Sequence, residues 1–170
     1  MIILKKILIL IEAEFQDLEA LYPFYRLKEA NFDVKVAGSE NKVYKGKYGY
    51  PLQTDGNIED FKAEDFDAIV IPGGWAPDFM RRNQAMINFV KEANEKNKLI
   101  AAICHAGWML SSSGACKGKK VTCFSAIKDD LINAQAIYED KEVAVDKNLI
   151  TSRKPDDLPA FCREIIRALE

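Results

Sequence analysis

Short apolar runs alternate along the chain with stretches of helical periodicity, the pattern of an α/β fold with a largely parallel sheet. Ile2 to Ile11 reads as a first strand, apolar enough to be buried on both faces. Asp17 is placed to cap the following helix, on which Leu18, Leu21, Tyr22 and Tyr25 recur at helical spacing. Pro23 falls in its first two turns, where a missing N–H is partly tolerated. Asp33 to Ala37 predicts a short second strand, and Val43 to Leu52, with Gly46 and Gly49 among Tyr and Lys, a hairpin. Phe66 to Ile71 is a third strand, ended by Pro72-Gly73-Gly74. Met86, Phe89, Val90 and Ala93 then share one helix face, and Lys98 to Ile103 returns as a central strand. Ala106 to Ser113 fits a short helix stopped by Gly114. Val121 to Phe124, the segments around Ile137 and Val143 to Val145, and Asn148 to Ser152 read as further short strands. Pro155 opens the last helix, where Leu158, Phe161, Cys162, Ile165, Ile166 and Leu169 keep the clearest helical stripe in the chain.

Composition narrows the class. With 170 residues and no internal repeat or linker, the chain is expected to form a single domain spanning 1–170. Lys and Arg number 24 against 26 Asp and Glu, a net charge of -2. That balance offers no basic footprint for nucleic acid and no cationic face for a membrane. Ile7 to Ile11 is too short to span a bilayer and lacks the flanks of a secretory signal. Cysteines 104, 116, 123 and 162 form no C-x-x-C pair, and one histidine argues against a zinc site. A cytoplasmic protein with free thiols is the expectation.

In open parallel sheets, ligands bind beyond the carboxyl ends of the strands. The first strand is followed by Glu12 and Glu14, then Gln16, Asp17 and Glu19; the third by Pro72-Gly73-Gly74-Trp75-Ala76-Pro77-Asp78; the fourth by Cys104-His105. Cys104 sits where a buried strand turns into a helix, the geometry of a nucleophile elbow, and helix-start N–H groups there favour a thiolate. The plainer alternative, a buried cysteine packing as a small hydrophobe, is taken for Cys116, Cys123 and Cys162. His105 can serve as base or charge partner, although adjacent side chains on a sharp turn diverge and its ring is expected to flank the sulfur. Gly73 and Gly74 can supply oxyanion-hole N–H groups, or merely allow a tight turn. Glu19, if it reaches the cleft, would have its pKa raised by burial and donate a hydrogen bond to the sulfur; otherwise it is an exposed acid complementing the helix dipole.

Taken together, these pieces resemble the ThiJ/PfpI superfamily, most nearly the PfpI-type intracellular proteases and the glyoxalase III and deglycase proteins. The resemblance rests on Glu14-Phe15-Gln16-Asp17-Leu18-Glu19, Tyr22-Pro23, Arg26-Leu27-Lys28-Glu29, Pro72-Gly73-Gly74-x-Ala76-Pro77-Asp78 and Ala102-Ile103-Cys104-His105. The later segments Ile127 to Ala134 and Ser152-Arg153-x-Pro155-x-Asp157-Leu158 complete it. It implies a flavodoxin-like three-layer sandwich with a mostly parallel central sheet, like class I glutamine amidotransferases. It also implies a reactive Cys104 assisted by Glu19 and His105, with Asp78 completing a Cys–His–acid triad from a neighbouring subunit, and oxyanion donors on Gly74 and His105. The family often has a second glutamate where Gln16 stands, an arginine where Trp75 stands, and a tyrosine where Phe124 stands; Trp108 is a further departure. A pocket formed by Gln16, Trp75, Trp108 and Phe124 is therefore expected to be apolar and poor in groups that hold a charged substrate.

The preferred reading is a cofactor-free, cysteine-dependent enzyme acting on reactive carbonyls, of glyoxalase III or deglycase type. A cysteine peptidase with its triad completed across a subunit interface is the second reading. A non-enzymatic redox sensor, oxidised at Cys104, is the third. The expected partners are a small carbonyl substrate or a peptide, with self-association as a dimer or hexamer and no nucleic acid or membrane.

Overall fold

The computed structural model describes residues 4–170. Its centre is a seven-stranded sheet built from β1 (Lys6–Leu10), β2 (Asp33–Gly38), β5 (Gly56–Asn57), β6 (Ala68–Ile71), β7 (Leu99–Ile103), β10 (Val143–Asp146) and β11 (Leu149–Ser152). The order across the sheet is β10-β11-β7-β6-β1-β2-β5, and only β10 runs antiparallel to its neighbour. Residues 7 to 10, 68 to 71 and 100 to 103 are all buried, as strands covered on both faces must be. Ile2 and Ile3 of the expected first strand lie outside the described residues. A small hairpin joins β3 (Val43–Lys45) to β4 (Pro51–Gln53), and β8 (Lys120–Val121) pairs with β9 (Ile137–Tyr138) apart from the main sheet.

The helices are α1 (Asp17–Glu29), α2 (Ala76–Met80), α3 (Gln84–Glu95), α4 (Gly107–Ser113), α5 (Lys128–Asn133) and α6 (Leu158–Leu169). α1 packs on α6, while α4 packs on α2, α3 and α5, forming two helical groups around the sheet. α6 buries the face anticipated for it, with Phe161 and Ile165 fully enclosed. Enclosing each such side chain contributes about 1.5–3 kcal/mol. α3 likewise buries Met86, Phe89, Val90 and Ala93. α4 ends at Gly114 in the left-handed conformation (φ 76°).

α1 departs from expectation. Its buried face is Asp17, Glu19, Ala20, Pro23 and Leu27, whereas Leu18, Tyr22 and Tyr25 point outward. The helix turns small and polar residues toward the sheet end, where the cleft lies, so its stripe of large apolar residues is left exposed. Nor is Asp17 the cap: Gln16 precedes the helix and its side-chain oxygen accepts from the Glu19 N–H at 3.1 Å. The Asp17 carboxylate instead accepts from the backbone N–H groups of Tyr48 and Tyr50, at 2.9 and 3.0 Å, and pins the tip of the β3–β4 hairpin.

β2 and β5 lie on one side of β1, and β6, β7 and β11 on the other. The chain thus reverses direction across the sheet between β1 and β6, opening a crevice at their carboxyl ends.

Candidate active site

Three neighbouring strand ends deliver the site. β1 leads through the loop at 11–16 into α1 and Glu19; β6 ends in Gly73 and Gly74; β7 ends in Cys104. Cys104 adopts a left-handed backbone (φ 62°), which costs a non-glycine residue roughly 1–3 kcal/mol. This is the strained elbow anticipated from the sequence, and it turns the thiol out of the sheet to the floor of a cavity of about 260 Å³. Gln16, Glu19, Lys47, Tyr48, Gly74, Trp75, Cys104, His105, Phe124 and Pro155 line that cavity.

The glycines are required by close packing. A Cβ on Gly73 would lie 2.6 Å from Glu19 Oε2 and 2.7 Å from Cys104 Cβ. Gly74 is itself left-handed (φ 76°), and a Cβ there would sit 2.4 Å from Gln16 N and Glu14 O. Phe15 and Gly74 form an antiparallel bridge that ties the β1 loop to the β6 turn. The Gly73 N–H donates to Glu19 Oε2 at 2.8 Å, so it is not a free oxyanion donor as expected. The N–H groups that face the sulfur are those of Gly74 and His105.

Glu19 is fully buried, and burial raises its carboxyl to about 7, against the smaller opposing effects of the Gly73 N–H, Cys104 and Lys47. Its other oxygen, Oε1, is enclosed without a hydrogen-bond partner. The expectation of a Glu19 with a raised pKa in the cleft therefore agrees with the structure. The helix-start N–H groups expected to favour an ionised Cys104 are outweighed. Burial first, and the Glu19 charge second, push the thiol up to about 12, outweighing the N–H groups of His105 and Gly74. Two adjacent buried anions are what that value resists. Between about 7 and about 12 the Glu19–Cys104 pair thus keeps one proton between oxygen and sulfur. With that proton on Oε1, the orphaned oxygen becomes a donor beside a thiolate that also accepts from two backbone N–H groups.

His105 Nδ1 lies 3.2 Å from Cys104 Sγ, closer than the divergence of adjacent side chains suggested. Its ring stacks on Phe124 (centroids 4.9 Å apart), and Trp108 and Trp75 pack at 5.1 and 5.9 Å. Burial lowers its pKa, favouring the neutral imidazole. Trp108 does not line the cavity, contrary to expectation; it backs His105, with its indole N–H donating to Asp130 at 2.8 Å. Asp78 on α2 pairs with Arg82 in the turn that follows that helix and is not among the lining residues. Glu12 is also drawn away from the cleft, accepting from the Ser39 N–H at 3.1 Å and from the Ser39 and Tyr44 hydroxyls. Lys47, Tyr48 and Pro155 also belong to the cavity; the sequence pattern predicts the Tyr- and Lys-rich hairpin but carries no sign of its reach over the cleft. Cys116, Cys123 and Cys162 are buried, and burial raises their thiols. Among the described residues no three His, Cys, Asp or Glu side chains could hold a metal ion, and no helix is long and apolar enough to cross a membrane.

A cysteine elbow at the switch point of a seven-stranded, mostly parallel sheet defines a protein of the class I glutamine amidotransferase-like fold. Residues 5–168 match the DJ-1/PfpI family, and the chain belongs to that family. It is 41% identical to the deglycase PfpI of Pyrococcus furiosus, over 97% of this chain and 99% of that protein. It is 39% identical to protein/nucleic acid deglycase 2 of Escherichia coli, over 97% of this chain and 98% of that protein. The crystal structure of Drosophila melanogaster DJ-1beta superposes with a TM-score of 0.92 at 29% identity, over 98% of this chain and 91% of that one.

Proposed function

We propose that this protein is a cofactor-free, cysteine-dependent enzyme that acts on small reactive carbonyls, as a glyoxalase or deglycase. The observation that carries this reading is the strained Cys104 at the cavity floor, beside buried Glu19 and touching His105. Relatives named deglycases at about 40% identity over the full length support it.

The reaction follows from the geometry. The Cys104 thiolate attacks the aldehyde carbon of a dicarbonyl; a C–S bond forms, the C=O π pair moves to oxygen, and Glu19 protonates that oxygen to give a hemithioacetal. The Gly74 and His105 N–H groups stabilise the developing oxyanion. Glu19, or neutral His105, then takes the proton from the former aldehyde carbon and returns one to the adjacent carbon, while the hydroxyl proton of the first carbon passes to the oxygen of the second. The first carbon is oxidised to a thioester and the second reduced to a carbinol, with no external electrons. Water hydrolyses the thioester to the hydroxy acid and restores the thiol. A cavity of about 260 Å³ admits a few-carbon substrate more readily than a polypeptide. Incubation with methylglyoxal is expected to yield lactate, and undiminished turnover by Cys104→Ala would refute the reading.

The 3.2 Å contact between His105 and the sulfur keeps a peptidase reading second. It needs an acid to orient His105. Asp78, engaged by Arg82 within its own chain, would have to exchange that partner for His105 of a second subunit.

A further inference from the structure

We propose that Lys47 forms an anion subsite at the cavity mouth and selects carbonyl compounds that carry a carboxylate or phosphate a few bonds from the reacting carbon. The proposal rests on Cys104 being the reacting group, as argued above. Lys47 is the one cationic side chain that lines the cavity holding Cys104. Its Nζ lies over the Tyr48 ring at 5.5 Å, and among the described residues it has no ion-pair partner. A cation with no carboxylate of its own is free to meet a ligand's charge.

The backbone that carries it is fixed. The Lys47 N–H donates to the Phe15 carbonyl at 2.8 Å, and Asp17 holds the N–H groups of Tyr48 and Tyr50. Gly46 lies so close to the Asp17 carboxylate that a Cβ would come within 2.4 Å. Asp17 is thus a buried clamp holding the hairpin tip over the cleft, rather than the helix cap that its position in the sequence suggested. Lys47 also acts electrostatically on both Glu19 and His105, which places its charge near the reacting groups. The β3–β4 hairpin thus brings a cation to the cavity that Trp75 also lines.

Two alkylating probes that differ in charge test this directly. Cys104 labelling by anionic iodoacetate is compared with labelling by neutral iodoacetamide, at one pH and low salt, using mass spectrometry. Any effect of Lys47 on the ionisation of the Glu19–Cys104 pair changes both rates equally and cancels in their ratio. Lys47→Met is expected to lower the iodoacetate-to-iodoacetamide ratio roughly fivefold, the size of one partly screened charge contact. Lys47→Arg restores it. Protection of Cys104 from iodoacetamide by glyoxylate and by glycolaldehyde phosphate, through reversible hemithioacetals, then separates carboxylate from phosphate; both should protect at lower concentration in the wild type than in Lys47→Met. An unchanged ratio in Lys47→Met overturns the subsite, while the reading of the wild type as an enzyme is judged separately by its lactate formation from methylglyoxal. A lowered ratio in a protein that forms no lactate sustains the subsite and sinks the enzymatic reading instead.

Discussion

Replacing Glu19 by glutamine keeps the side-chain shape and the acceptor for the Gly73 N–H but removes the titration. In the wild type the carboxyl moves from 4.5 in the unfolded chain to about 7 in the folded protein. Because the folded value is the higher one, the neutral carboxyl contributes stability that is complete below about 4.5 and lost as pH rises through about 7. At about 1.4 kcal/mol per unit the full contribution is about 3.5 kcal/mol, of which about 2.5 kcal/mol disappears between pH 5 and 8.5. Groups outside the Glu19–Cys104 pair titrate alike in both proteins and cancel in the difference. Urea unfolding at fixed protein concentration should therefore show Glu19→Gln gaining about 2.5 kcal/mol on the wild type between those two pH values. Parallel stability curves, within about 0.5 kcal/mol, would mean that Glu19 ionises freely and that the proton-sharing pair does not exist.

At the elbow the usual order of glycine and alanine should reverse: with φ at 62°, Cys104→Gly is expected to be about 1 kcal/mol more stable than Cys104→Ala, as read by denaturant midpoint. Gly74→Ala combines a positive φ with backbone contacts of 2.4 Å and should cost at least about 2 kcal/mol, or roughly 4–8 °C in melting temperature by calorimetry. Trp108→Phe and Asp130→Ala both remove the indole hydrogen bond behind His105, and each should lower kcat several-fold with little change in KM. Asp78→Asn should alter stability by no more than about 0.5 kcal/mol and glyoxalase turnover by less than twofold, while any peptide cleavage should fall at least tenfold and depend on protein concentration.

Much of the architecture was legible because buried parallel strands and α6 carry their burial as uninterrupted apolar runs and an unbroken helical stripe. The elbow and the glycine turn were legible for a related reason: at the end of a buried strand, a cysteine or paired glycines have few purely structural roles. What the sequence pattern does not carry depends on contacts between segments distant in sequence. Periodicity finds the apolar face of α1 but not its direction; the helix buries Glu19, Ala20 and Pro23 and leaves Leu18 and Tyr25 outside because its amino end closes the cleft. By residue type Asp17 is the natural cap, and only the hairpin at 46–50 overrides it, by taking the Asp17 carboxylate. Lys47 enters the cavity through that same long-range clamp. Trp108, two residues beyond the elbow's 3-10 turn, was expected in the pocket, but α4 carries it behind His105 to reach Asp130.

The most direct test is the pH dependence of Cys104 alkylation by iodoacetamide. A pair that loses its first proton near 7 predicts a rate that climbs with an apparent pKa of about 7 and then levels off, with Glu19→Gln shifting the rise upward. A wild-type rate that climbs only above 9, the ordinary range of a free thiol, or a profile that Glu19→Gln leaves in place, would contradict it.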